Sequence, residues 1–393
     1  MIMTMTTSQA EWLRAPLQCA VVDALGADNI KFVGGAVRDT LIGREPSDID
    51  AASPLLPDEV TSRLLAAGLK VFPTGIKHGT VTAALGKTVM EITTLRIDRE
   101  TDGRHAEVAY TVDWLEDAKR RDFTFNAIYM APDGRLFDPF NGLRDLEAGI
   151  VRFIGDAGQR IEEDALRILR YFRFYARYGA GDPDAEAITA CAAKKAMLAR
   201  LSIERVRGEL LKLLSVADPG RSLGLLLRTG VLEALIGAKA CLESCMHFIE
   251  QEKAVSAPIN TLARFYFLTN SAMTAPQMAK HFKFSLQQRK RLLKMATACA
   301  LPPISNPADA RRALYELGSE AVEAALLSQG AGLETPELQI ARNWPVPIFP
   351  LRGKDMIDAG LQPGPEIGER LRILESRWIA SDFALTKAEL LSR

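Results

Sequence analysis

The sequence predicts an α+β chain, in which a mixed α/β segment precedes an almost wholly helical remainder. Up to about residue 142, short β-branched runs (NIKFVGG, GTVTAAL, KTVMEITTL) alternate with helical stretches such as DEVTSRLLAAGL. Beyond that point strand signals fade, and helical periodicity carries EEDALRILRYFRFYARYG, SIERVRGELLKLLSV, RSLGLLLRTGVLEALI and QQRKRLLKMATACA. Breakers at GAGDPD, ADPG, LPPISNP and PVPIFP separate those helices, and no fixed-period repeat points to a solenoid.

A chain of 393 residues exceeds what one hydrophobic core usually serves, so two or more packed units are expected. With 48% hydrophobic and 25% charged residues it has the composition of an ordinary globular protein, which excludes disordered and fibrous classes. The 49 basic and 49 acidic residues cancel, which excludes a uniformly cationic nucleic-acid coat but leaves room for a local basic groove. Five scattered cysteines without CxxC spacing indicate neither a disulfide framework nor a zinc ribbon and fit a reducing cytoplasm. The N-terminal MIMTMTTSQAEWLRAP lacks a signal pattern and no stretch approaches a membrane span, so a cytoplasmic chain with no membrane partner is expected.

The first chemical block is Phe32-Val33-Gly34-Gly35-Ala36-Val37-Arg38-Asp39, a β-run stopped by two glycines and followed by a helical stretch to Gly43. Gly34 and Gly35 would let backbone N–H groups approach a polyphosphate, and Arg38 can donate to its oxygens; a plain tight turn is the competing reading. Asp48 and Asp50 follow in PSDID, and in a strand that spacing puts both carboxylates on one face, where hard oxygen donors suit Mg2+. A glycine turn delivering a triphosphate to such a pair suggests a metal-dependent nucleotidyltransferase. Glu91, in the β-run expected to lie antiparallel to GTVTAAL across Gly86-Lys87, is a candidate third carboxylate, as metal ligand or nucleophile activator; a half-exposed strand acid is the alternative.

Two more blocks carry polar groups. In DAKRRDFTFNA, Asp122 and Asn126 would share a helical face and suit ribose hydroxyls, with Arg121 toward phosphate; a surface charge cluster is the bland reading. In EEDALRILRYFRFYA, Asp164, Arg167, Arg170 and Arg173 would form a polar stripe opposite Ala165, Ile168, Leu169, Phe172 and Ala176. The stripe offers one acceptor and three guanidinium forks for a base edge or a triphosphate, or else a salt-bridged helix face.

These blocks together resemble the class II tRNA nucleotidyltransferase and poly(A) polymerase family, most closely its bacterial CCA-adding enzymes. GGAVRD with DID resembles motif A, RRDFTFNA motif B, DPFNGLRDLEAGIVRFIG motif C and EEDALRILRYFRF motif D, in family order; FPLRGKD and GPEIG resemble the family's tail. The resemblance implies a polymerase-β-like nucleotidyltransferase head over 1–142, a helical neck with the nucleotide-selecting helix over 143–215, a body over 216–300 and a tRNA-binding tail over 301–393. It assigns Mg2+ to Asp48 and Asp50, nucleotide contacts to Gly34, Gly35, Arg38, Arg121, Asp122, Asn126, Asp164, Arg167, Arg170 and Arg173, and base reading to Asp164 and Arg167. Motif C would act as a hinge between head and neck.

The implied activity is CCA addition to the tRNA 3′ acceptor end from CTP and ATP without a nucleic-acid template, and no obligatory protein partner is inferred. The alternatives are a poly(A) polymerase of the same family and a catalytically idle RNA-binding protein, against which the paired carboxylates argue. PTGIKHGT resembles the CCA-adding branch, and the segment 96–104 fills the place of the flexible loop that CC-only enzymes lack. None of the four histidines precedes an aspartate, so no appended His-Asp phosphohydrolase is expected. Lys280, Lys283, Arg289, Lys290, Arg291 and Lys294, in an acid-free stretch with Phe282 and Phe284, are candidates for RNA phosphate contact; a solvated helix face is the alternative.

Overall fold

The computed structural model describes residues 10–75, 79–98, 108–237 and 242–392, which form two compact units. The first comprises residues up to Leu201 with Arg228–Ala234, the second Ser202–Leu227 with Leu235 onward. This division is coarser than the four segments expected.

Among its described residues the first unit has nine strands: β1 Lys31–Val33, β2 Asp50–Ser53, β3 Lys70–Gly75, β4 Thr80–Leu85, β5 Thr88–Thr94, β6 Arg96–Asp98, β7 Val108–Tyr110, β8 Tyr129–Met130 and β9 Leu136–Phe137. Seven of them make one sheet in the order β3-β4-β5-β2-β1-β8-β9, and β6 pairs with β7 as a separate ribbon. The GTVTAAL and KTVMEITTL runs do form an antiparallel hairpin, joined at Gly86-Lys87. β2 lies parallel to β5, with Asp50 opposite Glu91.

One row of register partners crosses the whole sheet: Phe72, Thr82, Glu91, Asp50, Val33, Tyr129 and Phe137. Directly paired residues project to the same side, so this row defines a face. Val81, Ala83, Met90 and Ile92, of opposite parity, are buried on the other face, and the helices Pro16–Leu25 and Pro57–Ala66 pack near these strands. On the row's own side the cover is partial. Val33 and Tyr129 belong to a core cluster with Ala118, on the helix Trp114–Lys119, and Phe137 packs against it, whereas Glu91 and Phe72 are exposed. The cover stops at Asp50, which is half-buried.

After β9 the first unit is helical, with a lone bridge between Phe123 and Phe153. Its main element, Leu166–Tyr178, buries Ile168, Leu169, Tyr171, Phe172, Phe174 and Tyr175 and leaves Arg167, Arg170 and Arg173 half-buried at a spacing of three. The second unit is helical throughout its described residues; GAGDPD and PVPIFP fall between helices, and ADPG and LPPISNP run up to Gly220 and Pro307, which open the next ones. The run RSLGLLLRTGVLEALI is two helices, divided at Thr229-Gly230. Among the described residues no helix is long and apolar enough to cross a membrane.

Candidate active site

The glycine turn is as the sequence suggests. β1 ends at Val33, Gly34 takes φ +75°, which an L side chain rarely adopts, and the helix Gly35–Leu41 begins at once. Arg38 points back from that helix, its Nη2 lying 3.7 Å from where a Gly35 Cβ would stand.

The carboxylate pair differs from expectation in one respect. Only Asp50 is in a strand; Asp48 sits in the bend before β2, exposed, with Ser47 donating to it at 3.2 Å. The chain enters the sheet at Asp50 because β1 and β5 both pair from that residue onward. Burial, the neighbouring Glu91 and then Asp48 raise the Asp50 carboxyl above its ordinary range, partly offset by Arg121. This crowding of like charge is a donor set that a hard divalent cation would relieve, so the residues fit the metal their chemistry implies. Among the described residues no three His, Cys, Asp or Glu side chains form a metal cage.

Asp122 and Asn126 do not lie on an α-helix as expected. The chain turns at Asp122 and makes a short 3-10 helix over Thr124–Asn126, because Phe123 bridges to Phe153 and the N–H of Ile154 bonds the carbonyl of Asp122. The two side chains still meet: Asn126 donates to Asp122 at 2.9 Å. Both are buried, and their remaining bonds go to protein. Arg170 Nε donates to Asp122 Oδ2 at 2.6 Å and Arg38 Nη1 donates to Asn126 Oδ1 at 2.6 Å. Burial alone would raise the Asp122 carboxyl, but the Arg170 charge and bonds from Asn126, Arg170 and the Phe123 N–H hold it below the usual range.

The same chain of bonds continues through Asp39, which accepts from Arg38 Nε at 3.3 Å, Arg177 Nη2 at 2.9 Å and Tyr178 OH at 2.6 Å. Arg38 also lies over the Tyr178 and Phe174 rings, at 4.5 and 5.2 Å. The glycine-turn helix is thus tied to the arginine-bearing helix at two places, through Asp122 to Arg170 and through Asp39 to its C-terminal end.

Asp164 is not part of the arginine helix. The preceding helix ends at Glu163, Asp164 is extended (φ −150°, ψ 105°), and its carboxylate accepts from the Leu166 N–H at 3.0 Å, satisfying a donor of the next helix. Arg167 is held from three sides: Nη1 on the Arg160 carbonyl (2.9 Å) and Glu163 (2.5 Å), Nη2 on the Arg120 carbonyl (3.0 Å). Arg173 stacks on Phe174 at 4.1 Å.

Motif C forms a tight turn. Asp138 accepts the N–H groups of Gly142 and Leu143 at 2.7 and 2.9 Å, and a Cβ on Gly142 would stand 2.3 Å from the Thr124 carbonyl oxygen, so only glycine fits.

The basic stretch lies in the second unit and differs from a free cationic strip. Arg291 forms a fork with Glu320 (2.7 and 2.5 Å) and Lys283 pairs with Glu204 at 2.8 Å. Phe282 and Phe284 are buried and pack on Phe265, so they offer no stacking surface. Lys280, Arg289, Lys290 and Lys294 are exposed. Ile76–His78 and residues 99–104 of the loop segment lie outside the described residues, as does Cys241. Sequence reasoning missed Asp39 and Tyr178 as partners of Arg38, and Tyr129 as a partner of Arg121; a polar tip in an aromatic-rich helix and in a short strand was the available signal.

Comparison with known proteins agrees with this geometry. Residues 30–152 match the Poly A polymerase head domain, and residues 183–238 match the family described as a probable RNA and SrmB-binding site of polymerase A. The chain is 38% identical over 385 residues to the human mitochondrial CCA tRNA nucleotidyltransferase 1, covering 92% of this chain and 86% of that protein. It is 32% identical over 363 residues to the CCA-adding enzyme of Leuconostoc mesenteroides, covering 90% and 88%. Among solved structures, the Bacillus stearothermophilus CCA-adding enzyme in complex with CTP aligns at TM-score 0.76 and 27% identity over 96% of this chain and 94% of that one. The Thermotoga maritima CCA-adding enzyme, complexed with tRNA, shares the fold at TM-score 0.68 and 20% identity, covering 99% and 97%. With two relatives above 30% identity along nearly its whole length, and Asp50 paired with Glu91 between β2 and β5, the chain belongs to the class II tRNA nucleotidyltransferase and poly(A) polymerase family, in its CCA-adding branch.

Proposed function

We propose that this chain adds C, C and A to the 3′ end of tRNA, taking CTP and ATP and releasing pyrophosphate, with the base chosen by protein side chains. The observation that supports it most directly is the row placing Asp50 beside Glu91 at the edge of the covered sheet face, within reach of the Arg121 charge and next to the strand that ends in the Gly34 turn. The tRNA 3′-oxygen forms a bond to the α-phosphorus, the bond from that phosphorus to the bridging oxygen breaks, and the electron pair leaves on pyrophosphate.

Asp48 and Asp50 would hold Mg2+, which when bound neutralises charge on the phosphates and lowers the pKa of the attacking hydroxyl. Glu91 is the candidate to take the hydroxyl proton or join that ligand set. Arg121 and Arg38 bind and orient the triphosphate, and Asp122 and Asn126 fix Arg170 and Arg38 from behind, a positioning role beside the ribose contact the resemblance implies. Asp164 and Arg167 read the base, Arg170 and Arg173 complete the nucleotide face, and the exposed Lys280, Arg289, Lys290 and Lys294 attract RNA phosphate. The segmentation into head, neck, body and tail is part of this reading. So is a cytoplasmic setting, although relatives named mitochondrial exist.

The test is incubation of tRNA transcripts ending before CCA with CTP and ATP, singly and together, followed by sequencing of the 3′ ends. Addition stopping at CCA is the expected result. Continued A addition would favour a poly(A) product, and no incorporation an RNA-binding role.

A further inference from the structure

We propose that Asp117, bridged by Tyr129, is the positioning residue that sets the orientation of Arg121 toward the nucleotide. The inference rests on the reading above that Arg121 meets the nucleotide.

Asp117 lies near the end of the helix Trp114–Lys119, and its side chain is 1% exposed. Both of its oxygens are engaged. Oδ1 accepts from Arg120 Nε at 2.8 Å and from the backbone N–H of Arg96 at 3.2 Å. Oδ2 accepts from Arg121 Nη2 at 3.0 Å, Arg121 Nε at 3.3 Å and Tyr129 OH at 2.7 Å. Tyr129 OH in turn accepts from Arg121 Nε at 2.9 Å. Carboxylate, phenol and guanidinium therefore close a triangle on the Nε–Nη2 edge of Arg121. That edge is occupied, and Nη1 donates to the Asn126 carbonyl at 3.5 Å, the longest of these bonds, so Nη1 is the end from which an anion would draw a donor.

Three features make this more than a surface ion pair. Tyr129 is in the sheet row that carries Asp50 and Glu91, so the triangle stands on the catalytic face, two strands from Asp50 and about 10 Å away across the ladder. Two guanidiniums share one carboxylate, which leaves the cluster a net positive charge for a polyphosphate. Arg96 opens β6, so the same carboxylate fixes the foot of the β6–β7 ribbon. Burial and Asp117 outweigh Arg121 in holding the Tyr129 phenol far above its ordinary range, which keeps it a proton donor to Asp117.

The experiment is a double-mutant cycle read by single-turnover CTP and ATP addition to one tRNA, with tRNA affinity measured in parallel. Asp117→Asn alone should raise the KM for both nucleotides and lower kcat/KM by about ten- to a hundredfold, with tRNA affinity unchanged. Placed in an Arg121→Ala background it should add only the smaller loss of its bonds to Arg120 and Arg96, because its effect on the nucleotide passes through Arg121. A full additional loss in that background overturns the positioning role and makes Asp117 a fold residue. If Arg121→Ala itself keeps wild-type KM and kcat, it is the nucleotide contact of Arg121 that fails, and the proposal falls with it. Because Asp117→Asn leaves two half-buried guanidiniums facing a neutral amide, Tyr129→Phe provides the second variant. It should show a smaller loss, absorbed in the same way by Arg121→Ala; independent action overturns the proposal.

Discussion

Arg38 in the first unit and Arg264 in the second are both buried arginines, and they are used differently. Arg264 is closed on its own unit: Nε donates to Glu252 at 2.5 Å and Nη1 to the carbonyls of Leu214 and Val216 at 2.9 and 2.6 Å. It thereby satisfies the C-terminal end of the helix Ile203–Leu214 and joins it to the helix Leu242–Ala254. Arg38 is held by Asp39 and Asn126, and the chain of bonds runs on through Asp122 to Arg170, whose side chain is 31% exposed. A buried charge that ends on backbone carbonyls fixes helix geometry. One that ends on a partly exposed fork fixes what the surface presents.

The largest effect that sharpens this contrast belongs to the carboxylates. Asp50→Ala, like Asp48→Ala, should cut nucleotide transfer by about a hundred- to a thousandfold or more while leaving tRNA affinity near wild type. Asp50→Ala should not lower the thermal unfolding midpoint, because it removes a carboxyl that burial, Glu91 and Asp48 all disfavour in its charged form. Transfer by the variant at near wild-type rate would remove Asp50 from the site; a large drop in melting point would show that it is a fold residue.

Next in size is the sealed pair, set against the open chain. Glu252→Gln strands a guanidinium that is 1% exposed and should cost about 3–5 kcal/mol in chemical denaturation, with the activity of the folded fraction retained. Asp122→Asn should cost less, on the order of 1–3 kcal/mol, and should lower nucleotide affinity by loosening Arg170 and Arg38. Asp122 also carries a pH signature. Asp122 has a depressed folded-state value, so its stabilisation is present above the unfolded carboxylate value near about 4 and is lost as pH falls through the folded value. The stability gap between wild type and Asp122→Asn should therefore close in acid, as measured by unfolding at a series of pH values. A gap independent of pH would mean that packing, not charge, holds Asp122.

Much of the first unit was legible because its signals are local. Short β-branched runs marked β1, β4 and β5, and the spacing of Arg167, Arg170 and Arg173 marked the polar face of their helix. What was not legible depends on partners distant in sequence. β2 lies parallel to β5, and nothing in DID or MEITT states that Asp50 and Glu91 will be neighbours. Arg264 sits inside the apolar run TLARFYFLT, where a lone guanidinium signals a buried partner without naming Glu252. Phe282 and Phe284 lie in the same acid-free stretch, and an aromatic beside a lysine looks the same in sequence whether it faces solvent or Phe265.

Asp164 is the residue at which local and distant signals conflict, and it gives the smallest and most discriminating prediction. EEDALRILR reads as one helix, yet the chain breaks there and the carboxylate takes the Leu166 N–H. An aspartate that caps a helix and one that reads a base both need an acceptor oxygen, but only the reader must discriminate among bases. C and A each present an exocyclic amino donor, while U and G offer different edges to Asp164 and Arg167. Asp164→Asn keeps an amide oxygen for the Leu166 N–H and loses the charge, so stability should stay near wild type while selection against UTP and GTP falls by about ten- to a hundredfold. Asp164→Ala should lose both the cap, at about 1 kcal/mol, and the selection. Single-turnover addition of each nucleotide, with unfolding measured on both variants, separates the cases. If Asp164→Asn keeps wild-type selectivity and Asp164→Ala only lowers stability and weakens all four nucleotides alike, Asp164 serves the helix and the base is read elsewhere.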